Sequence, residues 1–209
     1  GEPKVFLDPN TLSADGTTSA SLGSFSKNRQ YVSFSLSRGG SDWKEIDLME
    51  VATQKKLTDT IEWTKFGGTA WKGDGFYYSR YDRPSPGREL TSRNEYQKVY
   101  HHRIGDTQDQ DQLIYEDREH PLRYVSAQTT QDERFLILNC SEGTQGDELF
   151  CKDFTRDRQE FTLLFRGFDH DYSVIDNDGD QLLVYTNDGA PNFRVIKVDP
   201  AHPGRDRWA

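Results

Sequence analysis

The chain has 209 residues, enough for one large domain, with 33% hydrophobic and 12% aromatic residues and a net charge of −9. The acidic balance, uninterrupted by any basic run, argues against a nucleic-acid surface. No stretch approaches the roughly 18 apolar residues of a membrane span, and no apolar leader follows Gly1-Glu2-Pro3-Lys4.

In chain order, residues 1–20 read as the end of a preceding unit, Val5-Phe6-Leu7-Asp8-Pro9-Asn10, followed by a Ser/Thr/Gly-rich connector. A first unit, 21–61, places the polar turn Phe25-Ser26-Lys27-Asn28 before Tyr31-Val32-Ser33-Phe34. Its strands are predicted at 33–36 and 43–49, with a short edge strand near Lys56. A second unit, 62–119, places Trp71-Lys72-Gly73-Asp74-Gly75 before Phe76-Tyr77-Tyr78. It then inserts Arg83-Pro84-Ser85-Pro86-Gly87-Arg88 and continues with strands at 96–103 and 113–115. A third, 120–166, places Thr130-Gln131-Asp132-Glu133 before Phe135-Leu136-Ile137-Leu138, with strands at 148–152 and 161–165. The fourth, 167–209, places Asn177-Asp178-Gly179-Asp180 before Leu182-Leu183-Val184-Tyr185, adds a strand at 193–198 and is incomplete at its carboxyl end.

The four copies form a repeat. With Asn28, Asp74, Asp132 and Asp178 as anchors the intervals are 46, 58 and 46 residues, and the insertion at 83–88 accounts for most of the excess in the second. Several short strands per period in the high forties is the pattern of a β-propeller blade. The expected fold is therefore all-β: a partial propeller of about four blades, each a four-stranded antiparallel sheet, arranged as an open arc. Unpaired blade faces and strand edges in such an arc favour self-association.

Local motifs for chemistry are absent. No Gly-x-Ser-x-Gly elbow occurs, so no catalytic residue is assigned. His101 and His102 are neighbours on a strand and point to opposite faces, which fits one buried or inter-blade histidine and one exposed, and no metal site is assigned. The acidic segment Asp176-Asn177-Asp178-Gly179-Asp180 has the composition of a calcium loop but not its spacing, and a turn with Gly179 explains it equally. No cofactor is called for. Cys140 and Cys151 flank a hairpin centred near Gln145 and Gly146. They are either a cross-strand disulfide pair or two small buried residues on adjacent strands.

In order along nearly the whole chain, several stretches resemble the propeller domain of the prolyl oligopeptidase family of serine peptidases. They are Val5-Phe6-Leu7-Asp8-Pro9-Asn10, Ser13-Ala14-Asp15-Gly16-Thr17, Gly40-Ser41-Asp42-Trp43, Lys65-Phe66 with Ala70-Trp71, and Phe76-Tyr77-Tyr78-Ser79-Arg80-Tyr81. Gln97-Lys98-Val99-Tyr100, Glu148-Leu149 with Lys152-Asp153, and Thr186-Asn187 with Ala190-Pro191-Asn192-Phe193-Arg194 complete the set. The resemblance implies a parent, here expected to be bacterial and periplasmic or cytoplasmic, in which a propeller covers an α/β-hydrolase domain that carries the Ser, Asp and His. In such a parent the propeller restricts entry to short proline-containing peptides. The catalytic domain of the same parent chain and those peptides are then the partners, and this chain alone carries no peptidase activity. The resemblance also marks Phe66, Tyr124 and Ser141 as substrate-cavity candidates. It places a substrate-orienting arginine near Ser141, where this sequence has no arginine between Arg134 and Arg156. The alternative from a different class is a stand-alone propeller binding module for protein or glycan. It differs in requiring a complete, closed set of blades.

Overall fold

The structure, a computed structural model, describes residues 2, 5–156 and 160–209. Its strands are short and rich in β-branched and aromatic residues, and polar turns separate them. The first sheet is β1 (Thr18–Phe25), β2 (Tyr31–Arg38), β3 (Lys44–Glu50) and β4 (Lys55–Thr64). The second is β5 (Thr69–Lys72), β6 (Gly75–Arg80), β7 (Lys98–Arg103) and β8 (Gln112–Glu116). The third is β9 (Tyr124–Thr129), β10 (Phe135–Ser141), β11 (Glu148–Asp153) and β12 (Thr162–Phe165). The fourth has three strands among the described residues, β13 (Tyr172–Asp178), β14 (Gln181–Thr186) and β15 (Arg194–Val198). Every pairing is between sequence neighbours and antiparallel. Beyond β15, Lys197 and Ala209 exchange backbone hydrogen bonds at 2.8 and 3.2 Å, where an outer strand would pair.

The core lies between sheets. Period two on β10 sends Phe135 and Ile137 to one face, against Val174, Leu182, Val184 and Ile196 of the fourth sheet. Leu136, Leu138 and Cys140 take the other face, against Ala70, Tyr77 and Val99 of the second. Ile46, Leu48 and Ile61 of the first sheet meet Trp71, Phe76 and Tyr78 in the same manner. Phe6, Leu7 and Leu12 cover the remaining face of the first sheet around Val32, Phe34 and Leu36. Each such large side chain contributes about 1.5–3 kcal/mol by leaving water, so the sheets stabilise one another face to face. The first and fourth sheets share none of these cores, and the array is an open partial propeller.

Hydrogen bonds between neighbouring sheets preserve the repeat. Trp43 Nε1 donates to the Glu89 carbonyl and Gln128 Nε2 to that of Val174, each across 46 residues. Thr129 Oγ1 donates to the Trp71 carbonyl across 58, the interval that spans the insertion.

Three details differ from the sequence reading. The boundaries at 20/21 and 61/62 cut through β1 and β4. The last residues of the segment read as a connector, 18–20, belong to the inner strand β1. Its small residues allow close approach, since a Cβ on Gly23 would lie 2.4 Å from Ser33 Oγ. The edge strand near Lys56 is the ten-residue β4.

Cys140 and Cys151 do not pair. Cys140 stands opposite Glu148 and Cys151 opposite Ile137, so the two thiols project from opposite faces of the third sheet into different cores. Both are free and buried. The hairpin is centred at residue 144 rather than between 145 and 146, so Cys140 faces Glu148, three residues short of Cys151, and an odd shift exchanges the faces.

Candidate functional site

Phe66 occupies the connection 65–68 between the outer strand of the first sheet and the inner strand of the second. Its φ is 52°, in the left-handed region, and its ring is 55% exposed. An exposed large aromatic held in a sparsely populated backbone region indicates that the surroundings fix it there. Those surroundings are visible. Gln97, 2% exposed, donates from Nε2 to the Lys65 carbonyl at 2.9 Å and accepts at Oε1 from the Val125 amide at 2.8 Å. Lys65 is buried, with Nζ 4.0 Å from the Trp43 ring and 3.4 Å from Asn94 Oδ1. Ser79 Oγ donates to the Val125 carbonyl at 2.6 Å, and Gly67 packs beside Ser79.

Val125 follows Tyr124, the first residue of β9, and Tyr124 pairs with Ser141, the last residue of β10. The Phe66 and Tyr124 rings meet edge to face, with centroids 5.4 Å apart at 84°. Together Phe66, Tyr124, Val125, Ser126, Asn139 and Ser141 line a pocket of about 280 Å³. The three residues marked in the sequence, which lie far apart along it, are thus brought to one place. Ser126 and Asn139 were not singled out. They pair across β9 and β10 on the face of Tyr124 and Ser141, so strand register alone identifies them. An aromatic wall with a polar floor suits a peptide segment that presents an apolar ring or side chain and backbone amides.

Arg123 was also missed. It precedes Tyr124, and its Nε lies 2.6 Å from Glu142 Oε1, one residue beyond Ser141. Its Nη1 lies 3.2 Å from Asp117 and 3.4 Å from Glu148. Burial works against its charge, but these carboxylates prevail and raise its pKa above the ordinary arginine value. A second pocket of about 190 Å³, framed by Leu36, Trp43 and Trp63, contains none of the residues marked in the sequence.

Two further clusters of titratable groups join neighbouring sheets. His102 is fully buried. Its Nδ1 lies 2.7 Å from Asp111 Oδ1 and its Nε2 3.1 Å from Asp59 Oδ1. Its neighbour His101 does point to the other face but is half-buried against the Tyr77 ring rather than exposed. In the acidic segment, Asp176 accepts from the Gln131 amide, Asn177 donates to Asp132, Asp178 pairs with Lys197 and Asp180 with Arg134. Those side chains connect a turn to its neighbours.

The chain matches the family described as prolyl oligopeptidase, N-terminal β-propeller domain, over residues 1–209. It is 41% identical to a prolyl endopeptidase of Elizabethkingia meningoseptica over 209 residues, all of this chain and 30% of that protein. It is 30% identical to prolyl oligopeptidase A of Amanita bisporigera over 96% of this chain and 29% of that protein. A solved structure from a study of two prolyl endopeptidases and their inter-domain dynamics superposes with a TM-score of 0.85 at 32% identity, covering 99% of this chain and 29% of that one. Prolyl oligopeptidase B of Galerina marginata, bound to a 25-residue macrocyclization substrate, superposes with a TM-score of 0.83 at 26% identity, over 97% of this chain and 30% of that one. The chain thus spans about 30% of the length of the relatives it matches. With four repeated antiparallel sheets, inter-sheet hydrogen bonds at the repeat intervals and a match along its entire length, the chain belongs to the prolyl oligopeptidase N-terminal β-propeller family.

Proposed function

We propose that this chain is the non-catalytic propeller portion of a serine peptidase that cleaves short proline-containing peptides, and that it gates their access to a catalytic α/β-hydrolase domain of the same parent chain. In this reading the pocket of Phe66, Tyr124 and Ser141 forms part of the peptide-binding cavity, and the chain by itself hydrolyses nothing. The observation that carries it is the convergence of these three residues around an exposed, conformationally constrained Phe66. The test is Phe66→Ala in the full-length enzyme, with folding verified by thermal melting. The expected result is a fall of about tenfold in kcat/KM for longer proline-containing peptides, from the loss of an aromatic contact of about 1–1.5 kcal/mol. Unchanged kinetics, or a loss of stability that accounts for the whole effect, returns Phe66 to a packing role. Expressed alone, the chain self-associates through exposed apolar residues such as Leu22, Ile175 and Val195, and light scattering that finds only monomer counts against this.

A further inference from the structure

We propose that Gln97 is a positioning residue: it sets the separation of Phe66 and Tyr124, and through that separation the affinity of the pocket for longer peptides. The inference rests on the peptide-cavity reading above and adds the element that holds the cavity in shape.

The geometry is specific. One side-chain amide spans two backbone segments. Its donor end meets the carbonyl of Lys65, the residue before Phe66, and its acceptor end meets the amide of Val125, the residue after Tyr124. The reversed amide would set N–H against N–H and oxygen against oxygen, so only one orientation satisfies both partners. Gln97 is buried, so both bonds are shielded from water and neither is readily replaced by solvent. It stands at the end of the long 81–97 connection, immediately before β7. The two rings beyond its partners are in edge-to-face contact and exposed to the pocket. Phe66 holds a left-handed φ, and the only side-chain hydrogen bond to its preceding carbonyl among the described residues comes from Gln97. Loss of that bond frees the connection to relax, and Phe66 moves with it. Gln97 touches backbone and not the pocket, so it acts through Phe66 and Tyr124.

The test is a double-mutant cycle in the full-length enzyme with Gln97→Leu, Phe66→Ala and the combination. It is read as kcat and KM for a proline-containing hexapeptide and for a short chromogenic proline substrate. Gln97→Leu should raise KM for the hexapeptide about tenfold, with kcat and the short substrate's KM changed less than about twofold. In the Phe66→Ala background the same substitution should change the hexapeptide KM less than about twofold, because the ring it positions is gone. If Gln97→Leu fails to accumulate as folded protein, Gln97→Glu carries the test. It keeps the acceptor for Val125 and loses the donor to Lys65, and the same KM split is expected. Equal KM changes in both backgrounds, an effect on kcat alone, or no effect while Phe66→Ala still raises KM overturns the role of Gln97 and leaves the cavity reading standing. If Phe66→Ala itself leaves KM unchanged, the cavity reading fails and the inference falls with it.

Discussion

His102 Nε2 lies 3.1 Å from Asp59 Oδ1, and this contact joins β7 of the second sheet to β4 of the first in a site closed to solvent. Asp111 holds the other ring nitrogen, Tyr78 Oη donates to Asp111 at 2.5 Å, and the Gly105 amide donates to Asp59 at 2.6 Å. Burial opposes a charge on the ring, but the hydrogen bonds it donates to Asp111 and Asp59 outweigh that, so the histidine pKa lies above its ordinary 6.5. A raised folded-state pKa contributes stability that is fully present below 6.5 and is lost as pH rises through the folded value. We therefore expect His102→Gln to cost about 3–5 kcal/mol at pH near 6, since it leaves buried carboxylates without their cation. The deficit should shrink at alkaline pH. Denaturant titrations of both proteins from about pH 6 to 9 measure this, and a deficit independent of pH argues that the ring is neutral throughout.

Arg134 makes the corresponding connection between the third and fourth sheets. Its Nε and Nη2 lie 3.2 and 2.9 Å from the two oxygens of Asp153, and Nη1 reaches the Gly179 carbonyl and Asp180. Burial acts to raise the Asp153 pKa, but Arg134 and Thr155 more than reverse this and hold it at about 2. A depressed carboxyl pKa stabilises above its unfolded value of 3.8, and the contribution disappears as pH falls through about 2. Arg134→Met should cost about 1–3 kcal/mol at neutral pH. The gap between mutant and parent should close on acidification from about pH 4 to 2. A gap that persists at the acid end would show that lost packing over Phe135, not charge, dominates.

The two cysteines should be inert. Burial pushes both thiols up to about 12, and they lie on opposite faces of one sheet. A thiol-reactive chromogen should label neither in the native protein and both after unfolding in denaturant. Oxidants should form no intramolecular bridge. Rapid native labelling, or a Cys140–Cys151 bridge detected by mass spectrometry, contradicts the register described above.

Gly146 permits the turn that leads into β11. Its φ is +79°, and an added Cβ would lie 1.9 Å from the Phe168 carbonyl oxygen. Backbone cannot yield as a flexible side chain would. Gly146→Ala should therefore cost about 3 kcal/mol or more. A substitution at Gly179, also at positive φ but with nothing within 4 Å, should cost less because only the conformational penalty applies. Comparable melting temperatures for Gly146→Ala and Gly179→Ala would refute the steric argument.

The sequence by itself determined the repeat, and with it the architecture. Polar turns at 28, 74, 132 and 178 recur because each four-stranded sheet needs the same turn at the same place, and the alternation on β10 assigns Phe135 and Leu136 to different cores. Tyr124 and Ser141 were legible only through resemblance, since nothing local distinguishes them from other strand residues, and Phe66 had only the weak local signal of an aromatic beside Gly67 and Gly68 in an inter-strand connection. Tertiary structure decided the rest. It made one inner strand of 18–25, across the boundary drawn at 20/21, and set Gly23 of that strand close against Ser33. It fixed the register of one hairpin, and so the faces of Cys140 and Cys151, because a shift of an odd number of residues, here three, is invisible to composition yet reverses every side chain beyond it. It brought Asp59 to His102 across 43 residues and Gln97 to Val125 across 28. Those contacts depend on how neighbouring sheets twist and pack, which no local pattern encodes.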